Sequence, residues 1–315
     1  MPGNRVEIVR QRPDDPVDMV FGDATHLRVR VPQAVALGTA SVTVTRPQYE
    51  RTDSGGWRVI SKTSNPIQFD PVSRYVFAAT GDSQVAAIDM SSTQLAAPIT
   101  VPPPVDDPST RSVALTADGT RAYVTLASCR GVSVIDTQTL QEVDIDGNPG
   151  NGVTHIDLLA GAQPFWAVAD PSGKYLYVSD RDDPIIYVVD IDPSSRSYNE
   201  LSSLIAVADA DAPIGLRGMD ISADGKRLYA AALGNSFSSG KIIVVSTDPA
   251  DGENYLSQVG AIDAGRDPFG VTATADPGLI TFASLHDTTG LGLITADADR
   301  NGGTVKHVGM FLGPT

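Results

Sequence analysis

A chain of 315 residues with 41% hydrophobic residues can bury a sizeable core, and its length allows roughly two domains. The formal net charge of −15, from 38 acidic and 23 basic residues, sets the surface against polyanions, so neither nucleic acid nor an anionic lipid surface is an expected partner. No apolar run approaches the roughly 18 residues of a membrane span, so no membrane insertion is expected, and the single cysteine, Cys129, excludes an internal disulfide.

The opening MPGNRVEIVRQRPDD lacks the apolar stretch of a signal peptide, and residues 1–18 show no clear alternation. The first clear strand begins at Met19-Val20-Phe21. Two alternating stretches follow, Thr25 to Pro32 and Gly38 to Thr45, and then Trp57-Arg58-Val59-Ile60. From residue 66 onward the chain repeats itself. Five Asp-centred turns begin at Asp70, Asp118, Asp170, Asp224 and Asp276, so they recur every 48 to 54 residues. Each turn suits a tight reversal, because Asp bonds its own backbone and a following Gly or Pro sets the angle. Each is followed by a strand that usually carries Tyr or Phe, such as RAYVTLA from Arg121 and KYLYVSD from Lys174. A β-branched strand comes next, such as VSVID from Val132 and IIYVVD from Ile185. The best-defined unit, Arg111 to Val143, reads as a meander of short strands over Ser112–Thr116, Arg121–Ala127, Val132–Asp136 and Gln141–Ile145. One such sheet cannot cover both its faces, whereas radial stacking lets each unit bury its neighbours. No stretch of about 12 residues has a helical period. The predicted class is all-β: a propeller of four-stranded antiparallel blades, five of them detectable, either closed by the N-terminal strands or part of a larger ring.

The sequence Ala117-Asp118-Gly119-Thr120-Arg121-Ala122-Tyr123-Val124-Thr125, followed by Val132-Ser133-Val134-Ile135-Asp136-Thr137, resembles the YVTN family of β-propeller repeats over residues 66–315. Proteins similar to that family include lactonase-like enzymes, cofactor-dependent dehydrogenase subunits and bacterial and archaeal surface proteins, so the resemblance implies a fold and leaves the function open. The stretch MVFGDATHLRVRVPQAVALGTASVTVT over residues 19–45 resembles the C-terminal part of an IPT/TIG immunoglobulin-like domain. The resulting division is 1–65, a partial Ig-like segment or a degenerate blade, and 66–315, the propeller.

Chemistry is sparse. His26, His155, His286 and His307 lack ligand spacing, and no nucleophile elbow, phosphate loop or haem attachment motif is present. Asp297, Asp299 and Asn301 fit the start of a calcium loop, but Val308 stands where its bidentate Glu belongs; a solvated turn is the default and calcium the one cofactor to test. Asp144-Ile145-Asp146-Gly147-Asn148 begins in the same way, and Pro149 breaks it. Aligning the repeats places Arg111, Phe165 or Trp166, Arg217, and Arg266 with Asp267 near the axial mouth of the propeller. Three Arg there suit an anion, and the bland alternative is ion pairing with Asp106, Asp211 and Asp267. The expectation is therefore an extracellular or bacterial cell-surface module that binds or scaffolds a protein or glycan, without catalysis of its own. The alternative is a lactonase-like hydrolase at the axial mouth, which would need Asp267 or a His to activate water.

Overall fold

A computed structural model describes side chains from Tyr75 to Ala283, except at 82, 90–91, 93, 97, 102–108, 128, 147, 149–151, 208–214, 235–238, 266 and 275–278; outside that range it describes strand paths alone. By its contacts the chain divides into two compact units, one of residues 1–76 with 88–96, the other of 77–87 with 97–315.

In the first unit, β1 (Arg5–Val9) pairs antiparallel with β4 (Ala40–Arg51), and β2 (Met19–Gly22) pairs with β3 (Leu27–Val29). β5 (Trp57–Thr63) and β6 (Ile67–Phe69) also pair with β4. Two expectations change here. Arg5–Val9 is a strand although its pattern is weak, because β4 offers it a paired edge. β6, which the repeat assigns to the first blade, joins the N-terminal sheet instead, with Ile67 opposite Val42.

Blade 1 is the sheet of β7 (Tyr75–Ala79), β8 (Gln84–Asp89), β9 (Gln94–Leu95) and β10 (Ile99–Thr100). In blade 2, β11 (Thr110–Leu115), β12 (Arg121–Leu126) and β13 (Gly131–Asp136) form a meander. Its outer edge is shared by β14 (Gln141–Glu142) and β15 (His155–Asp157), both paired to β13. The remaining blades are simple meanders. Blade 3 is β16 (Pro164–Ala169), β17 (Tyr175–Asp180), β18 (Ile185–Asp190) and β19 (Glu200–Ala206). Blade 4 is β20 (Leu216–Ile221), β21 (Arg227–Ala232), β22 (Gly240–Ser246) and β23 (Ser257–Gly265), with a short 3-10 turn, η1 (Pro249–Asn254), before β23. Blade 5 is β24 (Pro268–Ala273), β25 (Leu279–Ser284), β26 (Gly290–Thr295) and β27 (Thr304–Gly309). First strands of successive blades pack side by side, β11 on β16, β16 on β20 and β20 on β24.

The Asp turns at Asp118, Asp170 and Asp224 form as their composition dictates, and those at Asp70 and Asp276 lie outside the described residues. Asp224 Oδ1 accepts the Ser222 hydroxyl at 2.6 Å and the Lys226 N–H at 3.1 Å, while Gly225 takes φ +71. Asp118 repeats the arrangement with Thr116 and Thr120. The core lies between blades. Along β17, Leu176 and Val178 face blade 2 while Tyr177 faces blade 4. Both faces are covered, so the middle strands β12, β17, β18 and β21 are buried almost throughout and need apolar residues at consecutive positions. Each buried Val or Ile contributes about 1.5–3 kcal/mol.

Candidate functional site

Every first strand from blade 2 to blade 5 breaks register near its start: between Thr110 and Val113, Pro164 and Ala167, Leu216 and Met219, and Pro268 and Gly270. Such bulges re-aim side chains. Hydroxyls on the second strands hold them in place. Thr125 Oγ1 accepts the Ser112 N–H at 3.0 Å and donates to the Phe165 carbonyl of the next blade at 3.1 Å. Ser179 Oγ does the same one blade on, accepting the Trp166 N–H at 3.1 Å and donating to the Arg217 carbonyl at 2.9 Å. Ala231 holds that place in blade 4 and has no hydroxyl. There Gly218 comes so close that a Cβ would meet the Phe269 carbonyl at 2.8 Å.

The bulges bring Arg111, Phe165, Arg217 and Phe269 to equivalent places. The Arg217 guanidinium lies 5.3 Å from the Phe165 ring centre, and Phe165 meets Phe269 edge-on at 5.7 Å. Arg217 Nη1 also donates to the carbonyls of Arg181, at 2.6 Å, and Leu216, at 2.8 Å. Burial, with the Arg181 charge beside it, lowers its pKa, yet a guanidinium stays charged. Arg217 is thus seated on carbonyls and an aromatic face, and Arg181 takes the carboxylate of Asp182 at 2.9 Å.

The sequence-predicted residues separate at this point. Arg111 is exposed and occupies the place equivalent to Arg217. Trp166 is one step out of line; Phe165 is the true equivalent, and Trp166, 37% exposed, lines the axial cavity. Asp267 leads into β24 with φ +51, and its neighbour Arg266 lies outside the described residues, as do Asp106 and Asp211. Asp297, Asp299 and Asn301 lie outside them as well. Among the described residues no cluster of His, Cys, Asp and Glu could hold a metal. The Asp146 turn is closed by the Asn148 N–H at 2.9 Å, and His155 sits 3.3 Å from Asp157 on the blade 2 edge. Cys129 is a buried turn residue whose N–H bonds the Leu126 carbonyl.

Sequence reasoning missed Asp220. A cavity of about 370 Å³ runs along the first strands, walled by Trp166, Met219 and four residues at equivalent places, Ala114, Val168, Asp220 and Thr272. Among the described residues, Asp220 is the one carboxylate on that wall. Its Oδ1 accepts the Ile221 N–H at 2.9 Å and its Oδ2 the Ala273 N–H of blade 5 at 3.0 Å. Burial pushes its pKa up from the ordinary carboxylate value, and the two N–H bonds oppose that only in part. The signal was present in the repeat alignment, where MDISADG puts an acid at a place held elsewhere by Ala, Val or Thr. Arg217 stands three residues earlier, about 10 Å along an extended strand.

No protein-family model matches the chain, and no curated protein matches it in sequence. Solved structures do resemble it. The periplasmic gluconolactonase PpgL of Pseudomonas aeruginosa is 16% identical with a TM-score of 0.58, covering 91% of each chain. A Bacteroides uniformis protein named as a 6-phosphogluconolactonase is 17% identical at 0.57, covering 85% of this chain and 77% of its own. Hydrazine synthase of Kuenenia stuttgartiensis is 21% identical at 0.57, over 75% of this chain, which spans only 63% of that protein's length. The expectation of a surface module without catalysis is corrected by these neighbours, two of which bear lactonase names. At such identities the likeness itself is one of architecture: the chain is a β-propeller of four-stranded antiparallel blades, almost free of helix.

Proposed function

We propose that the chain is a lactonase-like hydrolase acting in the axial cavity on a small sugar-acid lactone. The observation that carries the reading is Asp220, a carboxylate with a raised pKa on the wall of a cavity otherwise lined mostly by apolar side chains. In this reading Asp220 takes a proton from water as the water oxygen attacks the lactone carbonyl. The ring C–O bond then breaks, the leaving alkoxide takes up a proton, and a hydroxy acid is released. Arg217 and Arg111, toward the mouth, hold an anionic group of the substrate, while Phe165 and Phe269 provide an apolar wall. The names of the P. aeruginosa and B. uniformis neighbours support the substrate class. The test is hydrolysis of D-glucono-δ-lactone, corrected for spontaneous opening, by wild type and Asp220→Asn. Turnover by wild type that falls about 10²-fold or more in the variant is expected. Absence of turnover in wild type, or an equally active variant, overturns the assignment.

The IPT/TIG cadence over residues 19–45 supports reading the N-terminal strands as part of an immunoglobulin-like unit. Limited proteolysis is expected to cut first before residue 76; a first cut within β11–β27 contradicts this.

A further inference from the structure

A second cavity, of about 430 Å³, lies between blades 3 and 4 at the Asp-turn ends of their strands, the opposite ends from Arg217. Its volume falls within the roughly 300–1,000 Å³ of small-molecule sites. Tyr177 lines it. This residue is 1% exposed; its hydroxyl bonds no described residue and, not being sealed from solvent, opens on the cavity. The equivalent tyrosine one blade earlier, Tyr123, donates to Asn199 Oδ1 at 3.0 Å. Buried Tyr187 likewise donates to Asp180 Oδ2 at 2.8 Å.

The difference has a local cause. Asn199 and Leu256 hold the same place, one residue before the fourth strand. Both have positive φ, +63 and +53, and their N–H groups bond the equivalent carbonyls of Asp190 and Ser246. In blade 3 that residue carries an amide to the preceding blade's tyrosine. In blade 4 it is a leucine, and the Tyr177 hydroxyl is left for something else. A tyrosine hydroxyl that opens on a cavity and is unbonded by the protein is free to bond a ligand or solvent there.

We propose that this cleft binds a small uncharged polyol, with the Tyr177 hydroxyl as its deepest contact. The remaining walls favour that chemistry. Tyr175 and Tyr255 stand on one side; burial, then the neighbouring Tyr175 phenol, pushes Tyr255 up to about 12, so it stays a neutral donor. Charges of both signs line the rest, and the carboxylates among them are already engaged locally. Asp248 accepts the Ala250 N–H and meets Lys226 Nζ at 3.0 Å; Asp170 accepts the Ser172 N–H. A charged ligand would meet like charge on one wall or another, whereas a hydroxyl can donate to a carboxylate and accept from Lys174 or Tyr177. The tyrosine faces can cover the C–H face of a ring.

The experiment is calorimetric titration of the full chain at millimolar concentrations of D-glucose and myo-inositol, with D-gluconate as the charged counterpart. At least one neutral polyol is expected to bind wild type and to bind Tyr177→Phe at least tenfold more weakly. Leu256→Asn, which supplies the amide that Tyr123 already has, is expected to weaken binding also, and it tests the idea if Tyr177→Phe fails to fold. No heat from either neutral polyol, unchanged affinity in Tyr177→Phe, or tighter binding of gluconate overturns the proposal. Lactone turnover in the axial cavity should be unaffected by both substitutions, so the two readings fail separately.

Discussion

Asp220 illustrates how one residue departs from a repeat. At Ala114, Val168 and Thr272 the same place needs only to pass the wall of the channel, and the blades tolerate small or apolar side chains there. A carboxylate at that place is desolvated, so its charged form is disfavoured and its pKa rises. As a base, Asp220 must be deprotonated. The rate of lactone hydrolysis is therefore expected to rise with pH through a midpoint above the ordinary Asp value of about 3.9. That acid limb should vanish from the residual activity of Asp220→Asn, which a pH profile of kcat/KM reads directly. Arg217 is a residue of another kind. Held by two carbonyls and stacked beside Phe165, it keeps its charge where a substrate arrives.

At the scale of elements, the bulged first strands depend on the strands beside them. Ser179 is fully buried, and its one hydroxyl ties the Trp166 bulge to the Arg217 bulge of the next blade. Ser179→Ala leaves a part-buried N–H and a part-buried carbonyl without that partner, and should cost about 0.5–1.5 kcal/mol in denaturant unfolding. Thr125→Ala should behave alike, since Thr125 links blades 2 and 3 in the same way. The lead-in to β20 is tighter still. Gly215 has φ +129, and a Cβ there would lie 2.0 Å from the Arg181 carbonyl that receives Arg217. Gly215→Ala must push that carbonyl away. The expected result is a higher KM for an anionic lactone together with a lower unfolding midpoint.

At the scale of the molecule, stability among the described residues sits between blades rather than within them, as three apolar clusters, each shared by neighbouring blades. The Asp turns join this core to solvent, and their carboxyls respond to pH with a definite sign. The Ser222 hydroxyl holds Asp224 below the usual range, and the Ala250 N–H, with Lys226, holds Asp248 below it. A folded-state pKa lower than the unfolded one contributes stability above the unfolded value and loses it as pH falls through the folded value. Unfolding midpoints should therefore be level near neutral pH and decline below about pH 4. Charge at the mouth gives a second global test. KM for an anionic lactone should rise with ionic strength, while that for a neutral lactone stays constant, because only the former is drawn by Arg111 and Arg217 through screened solvent.

Much of this architecture was legible in the sequence because it rests on local chemistry. Asp followed by Gly or Pro closes a turn wherever it stands, and a β-branched run with covered faces forms a strand, so the spacing of Asp118, Asp170 and Asp224 already implied stacked meanders. The Arg at 111 and 217 could be aligned for the same reason. What needed the tertiary structure depends on groups distant in sequence. β6 left the first blade because β4, some 25 residues earlier, offered it an edge. Phe165, not Trp166, holds the place of Arg217, since each stands eight residues before its turn glycine, Gly173 or Gly225; what no local pattern records is the bulge, held by Ser179, that re-aims it. Asp220 became a candidate base only once four first strands packed beside it, since desolvation is a property of the surroundings and not of the residue. Tyr177 and Tyr123 sit in nearly the same local sequence, yet one is bonded and the other open, because the deciding residue, Asn199 or Leu256, belongs to the next blade.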